Sequence, residues 1–265
     1  MGRAGCLVIS AGGRWALIPK LDEYDLLILD IDGVVWLDGE PIESSIRAIN
    51  EMRSEIKIVF LTNNSTRHRR AIASLLRDIG IPWVSERDIF TSASVLASLS
   101  SELGIRNCYV VGESGLIMEL EEVGIEISDE GDVCVGLDRS FNYEKLKIAV
   151  RNILSGAMFL ATNYDRLLPT QEGAIPGAAS MVSAISAACG REPDIIVGKP
   201  NPIMFLHASA SVGAKRPLVI GDSVETDILG AMRAGMDSAL LLREGRGGTG
   251  PRPRYVLRDL EELIR

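Results

Sequence analysis

One stretch decides the fold: Asp25-Leu26-Leu27-Ile28-Leu29-Asp30-Ile31-Asp32-Gly33-Val34-Val35. Four consecutive aliphatic residues, Leu26 to Leu29, do not alternate with polar ones, which predicts a strand covered on both faces, as in a parallel α/β sheet. Asp30 and Asp32 follow at the carboxyl end, where open α/β sheets bind ligands, and their i, i+2 spacing points both side chains to one side. Carboxylates this close repel unless a proton or cation intervenes, so the pair indicates a metal site or an acid/base couple. The alternative is a polar strand end capped by an Asp-Gly turn.

Composition excludes several classes of protein. The chain has 265 residues, 46% hydrophobic and 24% charged, which is typical of a globular protein with one large domain or two. The net charge of −8 disfavours binding to a phosphate backbone, so nucleic acid polymers are not expected partners. No apolar run approaches the ~20 residues that span a bilayer, and the amino-terminal residues make a poor signal peptide. We therefore expect a cytoplasmic protein that does not bind membranes.

The four cysteines are too widely spaced for a zinc site or a Cys-x-x-Cys motif. We expect buried thiols in a reducing compartment.

Alternating strands and helices predict an inserted module. Strands at 108–111, 133–136 and 158–161 are separated by helical patterns at 114–123 and 143–153, which indicates parallel pairing. We therefore predict an inserted α/β module at residues 104–192 and a core formed by residues 1–103 and 193–265. A last strand is expected at 239–242, a loop at 245–253 and a terminal helix at 257–264.

Four predicted strands end in polar residues. The first ends in Asp30 and Asp32, and the strand at 56–61 runs into Thr62-Asn63-Asn64. The strand at 195–197 runs into Gly198-Lys199-Pro200, and that at 218–220 into Gly221-Asp222, with Asp227 shortly after. If the crossovers are right-handed, one edge of one parallel sheet holds Asp30, Asp32, Thr62, Lys199, Asp222 and Asp227.

This set of side chains suits phosphoryl transfer, which requires a nucleophile, charge neutralisation and positioning. Asp30 is suited to attack phosphorus, and Asp32 to protonate the leaving oxygen and then activate water. Thr62, the backbone amides after it and Lys199 are suited to hold phosphate oxygens. Each residue alone is better explained as a turn or an exposed side chain. A structural explanation must, however, account for four independent polar strand ends.

The same set predicts a cation site. Asp222 together with Asp30 is suited to bind a hard, oxygen-seeking cation, for which Mg²⁺ is the expected ion. Asp227 is suited to orient the ligands around it.

Two other features lie near these strand ends. Residues 34–41 have a strand-like start and an Asp-Gly turn, which predicts a flap beside the Asp pair. Trp36 within it is expected to pack, with lining of a substrate pocket as the alternative. The helix expected at 67–79 begins with Arg67, His68, Arg69 and Arg70, which oppose the helix dipole. That run indicates either a nearby anion or a solvated basic face.

The four motifs resemble those of the haloacid dehalogenase superfamily. The Thr62-Asn63-Asn64 form, the Gly-Lys-Pro-Asn-Pro form at 198–202 and the long insert resemble its para-nitrophenylphosphatase and phosphoglycolate phosphatase-like group. The resemblance implies a Rossmann-like parallel-sheet core with an inserted α/β cap domain, Mg²⁺ dependence and hydrolysis of small phosphate monoesters. An acid at Asp32 favours a phosphatase over a dehalogenase. The resemblance covers residues 24–265.

The resemblance also assigns roles to residues. It implies that the backbone carbonyl of Asp32 completes a metal shell formed by Asp30, Asp222 and Asp227. Because the cap selects the leaving group in this group of proteins, the substrate is expected to contact Asn163, Tyr164 and Asp165, in addition to Thr62, Asn63, Asn64 and Lys199. The alternative for residues 163–165 is a simple turn at a strand end.

Partners and competing functions follow from the same motifs. The expected partner is a small phosphorylated metabolite, and related capped phosphatases often form homodimers through the cap. A receiver-like phospho-accepting module combines similar residues, but the length of the chain and the late Asp222 and Asp227 argue against it. A non-catalytic phosphometabolite sensor is the remaining alternative, although no catalytic group is missing from the motifs.

Overall fold

The computed structural model describes residues 18–37, 39–168, 173–242 and 250–264. Contacts between Cα atoms divide the chain into two compact units. The first unit comprises Met1–Leu61, Arg77–Trp83 and Phe205–Arg265, and the second comprises Thr62–Leu76 and Val84–Met204. A search of the described residues for a helix long and apolar enough to cross a membrane finds none. The domain bounds given above stay predictions.

Strands and helices alternate along most of the chain. The strands are β1 Leu26–Asp30, β2 Trp36–Leu37, β3 Glu40–Pro41, β4 Lys57–Thr62, β5 Ile89–Thr91, β6 Asn107–Val111, β7 Glu126–Ile127, β8 Asp132–Val135, β9 Phe159–Ala161, β10 Leu167–Leu168, β11 Ile175–Pro176, β12 Ile195–Ile196, β13 Pro217–Gly221, β14 Asp237–Leu241 and β15 Tyr255–Leu257. The helices are α1 Glu43–Met52, α2 Arg69–Asp78, α3 Ser92–Glu102, α4 Ser114–Glu122, α5 Tyr143–Leu154, α6 Ala179–Cys189, α7 Ile203–Val212 and α8 Leu229–Arg233. A π-helical turn spans Val224–Ile228, and 3₁₀ turns span Leu21–Glu23, Glu86–Asp88 and Leu260–Leu263.

The first unit contains a parallel sheet built around β1. Its strands run in the order β15-β14-β13-β1-β4. Leu26 to Leu29 have no exposed surface, as expected for a central strand covered on both faces. In the register of the sheet, Leu29 pairs with both Ile220 of β13 and Phe60 of β4. The carboxyl ends of these strands are therefore level, which confirms the predicted parallel α/β architecture.

A short hairpin follows β1. Strands β2 and β3 are antiparallel, with Trp36 opposite Pro41 and Leu37 opposite Glu40. The predicted flap is thus a hairpin, although residue 38, which belongs to the predicted Asp-Gly turn, lies outside the described residues.

The second unit contains its own parallel sheet. Its strands run in the order β12-β9-β8-β6-β7. Helices α5 and α6 pack on it through buried residues such as Ala149, Ile153 and Val182, which contact Val133 and Phe159 in one hydrophobic cluster. The predicted alternation of strands and helices in this part of the chain is confirmed.

The strand before Lys199 lies in a different sheet from the one predicted. β12 pairs with β9, with Ile195 opposite Leu160 and Ile196 opposite Ala161. The prediction that Lys199 and Asp30 follow strands of the same sheet is therefore wrong. A strand of two apolar residues can extend either sheet, so its pairing is set by tertiary contacts that leave no periodic signal in the sequence.

The prediction of a terminal helix at 257–264 is also wrong. Residues Tyr255–Leu257 form β15 beside β14, and only a 3₁₀ turn follows at Leu260–Leu263. Aromatic and β-branched residues at 255–256 favour a strand, and Asp259 caps the short turn by accepting a hydrogen bond from Glu261 N.

One expectation falls partly on residues that are not described. The loop expected at 245–253 includes residues 245–249, which lie outside the described residues.

Candidate active site

Three carboxylates converge in the first unit. Asp30 ends β1, Asp222 directly follows β13, and Asp227 lies in the π-helical turn. One carboxylate oxygen from each residue lies within 4.8 Å of the others. Asp30 is 8% exposed and Asp227 only 1%, so water screens their charges poorly. The structure therefore brings together the three side chains that the sequence assigned to a cation site.

Gly221 makes room for this arrangement. A Cβ atom at Gly221 would lie 2.2 Å from Cγ of Asp227, so no larger residue fits without displacing that carboxylate. The backbone N–H of Ser223 donates to Oδ2 of Asp227 at 3.1 Å and fixes its orientation. The π-helical turn that carries Asp227 is a rare geometry often found at functional sites. Local backbone geometry thus directs Asp227 toward the strand ends.

The electrostatics of this group call for a cation. Two unit charges about 4 Å apart repel by about 4 kcal/mol at an effective dielectric constant of about 20. A divalent cation between three carboxylates replaces that repulsion with attraction and satisfies their lone pairs. All three donors are hard oxygens, which is the set that Mg²⁺ or Ca²⁺ prefers. The residues present therefore fit a hard divalent cation.

The side chain of Asp32 is placed differently. It is exposed, and its Oδ1 accepts a hydrogen bond from Nε1 of Trp36 at 2.8 Å. Among the residues that the structure describes, the group of possible metal-binding carboxylates contains Asp30, Asp222 and Asp227 but not the side chain of Asp32. This placement is compatible with the expectation that Asp32 binds a metal only through its backbone.

A second group of polar residues surrounds Lys199 in the second unit. The side-chain amide of Asn63 makes two hydrogen bonds to the backbone of Lys199: Oδ1 accepts from N at 2.8 Å, and Nδ2 donates to O at 3.0 Å. Nδ2 of Asn63 also donates to Oδ2 of Asp165 at 2.9 Å. Asn163 donates to that same oxygen at 2.6 Å. The structure thus brings together Asn63, Asn163, Asp165 and Lys199.

The close approach of two strand ends explains this cluster. β12 lies beside β9. Gly198, just after β12, lies so close to Asn163, just after β9, that a Cβ atom added at Gly198 would lie 2.6 Å from Cβ of Asn163. Oδ1 of Asn163 accepts a hydrogen bond from the Thr162 hydroxyl at 2.6 Å, which fixes the orientation of the amide. Lys199, which is 5% exposed, is therefore held on a rigid backbone.

The turn after β4 is organised by its own side chains. Oγ1 of Thr62 accepts from the backbone N–H of Asn64 at 3.1 Å, and Oδ1 of Asn64 accepts from the backbone N–H of Thr66 at 2.9 Å. Ser92 donates to the backbone oxygen of Asn63 at 2.7 Å. Thr62 is buried, so this turn holds its hydroxyl in one place.

The basic run at the start of α2 has protein partners. Arg69 forms ion pairs with Glu119 at 3.0 Å and Glu122 at 2.7 Å, and Arg70 forms ion pairs with Glu86 and Glu122, each at 3.0 Å. The anions suggested by the sequence are therefore glutamates, mostly of α4. Sequence reasoning missed them because a pairing between distant helices has no signature in local spacing.

Glu119 is the most unusual member of this group. It has no exposed surface, and desolvation by burial raises the pKa of its carboxyl group, opposed by the nearby backbone N–H and guanidinium of Arg69. His68 is also buried; its Nδ1 accepts from the backbone N–H of Arg70 at 3.1 Å, and its Nε2 lies 3.1 Å from Oε1 of Glu122. His68, Glu119 and Glu122 are close enough together to hold a metal ion. An acceptor at Nδ1 places the proton of a neutral ring on Nε2, so in this tautomer Nε2 carries an N–H and not a lone pair for a metal ion.

Family models match both ends of the chain. A model described as haloacid dehalogenase-like hydrolase matches residues 27–126, and one described as HAD-hydrolase-like matches residues 196–263. Together they contain the three carboxylates, Thr62 and Lys199.

Individual proteins match over nearly the full length. A dihydroxyacetone phosphatase of Corynebacterium glutamicum is 35% identical, with 89% of each chain covered. The solved structure of a p-nitrophenyl phosphatase from Archaeoglobus fulgidus is 30% identical with a TM-score of 0.84, covering 93% of this chain and 99% of that one. The structure of a glycerol phosphate phosphatase from Mycobacterium tuberculosis in complex with magnesium is 31% identical with a TM-score of 0.80, covering 91% of this chain and 77% of that one.

The contact between Gly221 and Asp227 predicts the effect of a single methyl group. Because the added Cβ must displace the Asp227 carboxylate, we expect Gly221→Ala to raise the dissociation constant for Mg²⁺ about 10- to 100-fold. Isothermal titration calorimetry with MgCl₂ measures this dissociation constant. Val219→Ala in the same strand is the control, since it changes packing alone. Unchanged affinity in Gly221→Ala would contradict a metal role for Asp227.

Proposed function

The chain belongs to the haloacid dehalogenase-like hydrolase family, and we propose that it is a Mg²⁺-dependent phosphatase that hydrolyses small phosphate monoesters through an aspartyl-phosphate intermediate. Phosphoric monoester hydrolysis is the reaction class of its named relatives, and the chain is a phosphoric monoester hydrolase. The single observation that carries the proposal is the convergence of Asp30, Asp222 and Asp227 at the ends of β1 and β13.

The proposed reaction has two displacements at phosphorus. A carboxylate oxygen of Asp30 attacks, the bond from phosphorus to the ester oxygen breaks, and that oxygen takes a proton from Asp32. Asp32 then removes a proton from water, which attacks the aspartyl-phosphate. The acyl phosphate bond breaks, and inorganic phosphate and the Asp30 carboxylate are released. The burial of Asp30 at the end of β1 favours attack on phosphorus, because it limits competing solvation of the nucleophile.

The cation has one role in this proposal. Asp30, Asp222 and Asp227 would hold Mg²⁺ together with the backbone carbonyl of Asp32, and the ion would neutralise charge on the phosphoryl oxygens. The donor chemistry of the three carboxylates supports a divalent cation, as does the magnesium complex of the glycerol phosphate phosphatase. The choice of Mg²⁺ among divalent cations is part of the proposal.

The remaining residues are proposed to bind the phosphate group and the leaving group. Thr62 and Lys199 would bind phosphoryl oxygens, together with Asn63 and Asn64 of the same turn. Thr62 directly follows Leu61, whose Cα pairs with Asp30 in the sheet, which supports its assignment. Because Asn63 already binds the backbone of Lys199, its larger effect is expected through the position of that lysine.

Asn163 and Asp165 are proposed to contact the leaving group. Tyr164 between them is 42% exposed and lines a cleft with Ser183 and Arg191, and its hydroxyl is 2.7 Å from that of Ser183. Both proposed side chains are engaged with each other in the described structure. Their contact with substrate therefore rests on the family resemblance.

Small phosphorylated metabolites are the proposed substrates, and the two alternative functions are disfavoured. Named relatives include a 5'-nucleotidase, a dihydroxyacetone phosphatase and a D-glycerol 3-phosphate phosphatase, and these names support small phosphate esters as substrates. A receiver-like module or a non-catalytic sensor does not explain a full set of catalytic motifs. Homodimer formation through the inserted module, cytoplasmic location and the lack of nucleic acid partners stay predictions.

Asp30→Asn tests the nucleophile. The substitution keeps the volume of the side chain but removes the anionic oxygen, so we expect turnover of p-nitrophenyl phosphate to fall by more than about 10⁴-fold with little change in melting temperature. Mass spectrometry of acid-quenched wild-type enzyme should detect a phosphorylated peptide containing Asp30. Retained activity in the variant refutes the assignment.

Removal of divalent cations tests the metal. We expect EDTA to stop hydrolysis, and an excess of MgCl₂ to restore it, because the three carboxylates lose the charge that holds them together. Thermal unfolding should also occur at a lower temperature in EDTA. An enzyme whose activity is insensitive to chelation would contradict the proposal.

Asn63→Asp tests the positioning of Lys199. The new carboxylate lacks both N–H donors and lies against Asp165, so the backbone of Lys199 should shift and kcat/KM should fall about 100-fold. The matched control is Asn142→Asp, because Asn142 caps α5 and Asp is an equally good cap. Equal activity of the two variants would show that Asn63 does not position the lysine.

A further inference from the structure

The indole of Trp36 contacts the proposed general acid. Its Nε1–H donates to Oδ1 of Asp32 at 2.8 Å, within the loop that follows β1. We propose that Trp36 is a positioning residue for Asp32, which fixes the orientation of the carboxyl group so that Oδ2 faces the leaving oxygen. This inference rests on the proposed function, because it needs Asp32 to act as an acid.

The backbone holds Trp36 rigidly. Its carbonyl oxygen accepts from the N–H of Gly33 at 2.7 Å, and its own N–H is 3.4 Å from the carbonyl oxygen of Ile31. Gly33 has φ of +83°, a left-handed conformation that turns the chain back on itself. Val35, which precedes Trp36, is fully buried and accepts a hydrogen bond from Ile42 N at 2.9 Å.

Pairing of β2 with β3 adds a further constraint, because Trp36 lies opposite Pro41. The indole is thus presented to Asp32 by a loop that is already ordered. Little conformational entropy remains to be lost when the two side chains meet.

The hydrogen bond fixes the orientation of the carboxyl group. An indole N–H is a donor only, so it engages a carboxyl oxygen as an acceptor, here Oδ1. This engagement restricts rotation of the carboxyl group and leaves Oδ2 as the oxygen presented to the leaving group. Asp32 is exposed, so without this contact its side chain would sample other rotamers. Trp36 should therefore matter most when the leaving oxygen needs a proton.

Leaving-group dependence provides the test. An alkoxide is a poor leaving group and needs protonation, whereas p-nitrophenolate is stable and does not. For Trp36→Phe, we expect kcat/KM for a simple alkyl phosphate to fall about 10- to 100-fold, and that for p-nitrophenyl phosphate to change less than about threefold. A series of aryl and alkyl phosphates, measured with the variant and with wild type, gives the slope of log(kcat/KM) against the pKa of the leaving group.

Trp83→Phe is the matched control. Trp83 belongs to the same unit, donates through Nε1 to Oδ1 of Asn50 at 3.0 Å and stacks on Phe60. Its substitution removes an equivalent hydrogen bond and should leave the slope of wild type unchanged. If Trp36→Phe fails to fold, Trp36 can be replaced by benzothienylalanine, which substitutes sulfur for the indole N–H in a ring system of the same shape.

Asp32→Asn separates failure of this inference from failure of the proposed function. A slope steeper than that of wild type for both Asp32→Asn and Trp36→Phe supports the positioning role. A slope that is steeper than that of wild type for Asp32→Asn but unchanged for Trp36→Phe overturns the positioning role. An equal loss of kcat/KM on every ester in Trp36→Phe overturns it as well. An unchanged slope for Asp32→Asn shows instead that Asp32 is not the acid, and the proposed mechanism fails.

Discussion

The structure depends on one electrostatic constraint, the placement of three carboxylates at the ends of two neighbouring parallel strands. Asp30, Asp222 and Asp227 are largely buried and present oxygens within 4.8 Å of one another. Such a group is unfavourable alone and favourable around a cation. Gly221 and the π-helical turn keep these side chains together despite the repulsion between their negative charges.

Rigid backbone fixes the positions of these side chains. β1 is buried on both faces and lies between β13 and β4, so its last residue has little freedom to move. The loop beyond it closes on itself through hydrogen bonds of Gly33 and Trp36. The proposed nucleophile on the strand and the proposed acid on the loop are therefore both attached to ordered backbone, which is the arrangement that a reaction at fixed geometry requires.

The second unit uses side-chain amides for the same purpose. Asn63 binds the backbone of Lys199 at both its donor and its acceptor, and shares Asp165 with Asn163. Residues expected to bind substrate are thus engaged with one another, and Asn63 holds the backbone of Lys199 in place. The ion pairs between the start of α2 and Glu119 similarly satisfy charges that the sequence left without partners.

The sequence by itself determined the parallel α/β class, the strand at Leu26–Asp30, and the polar residues at four strand ends, because burial on two faces and the chemistry of a site both require particular residue types at fixed spacing. It did not determine that Ile195–Ile196 joins the sheet of β9, that Trp36 donates to Asp32, or that Arg69 pairs with Glu119. Only the tertiary structure decided these, because strand partners and hydrogen-bond directions depend on segments far apart in the chain and leave no local periodicity.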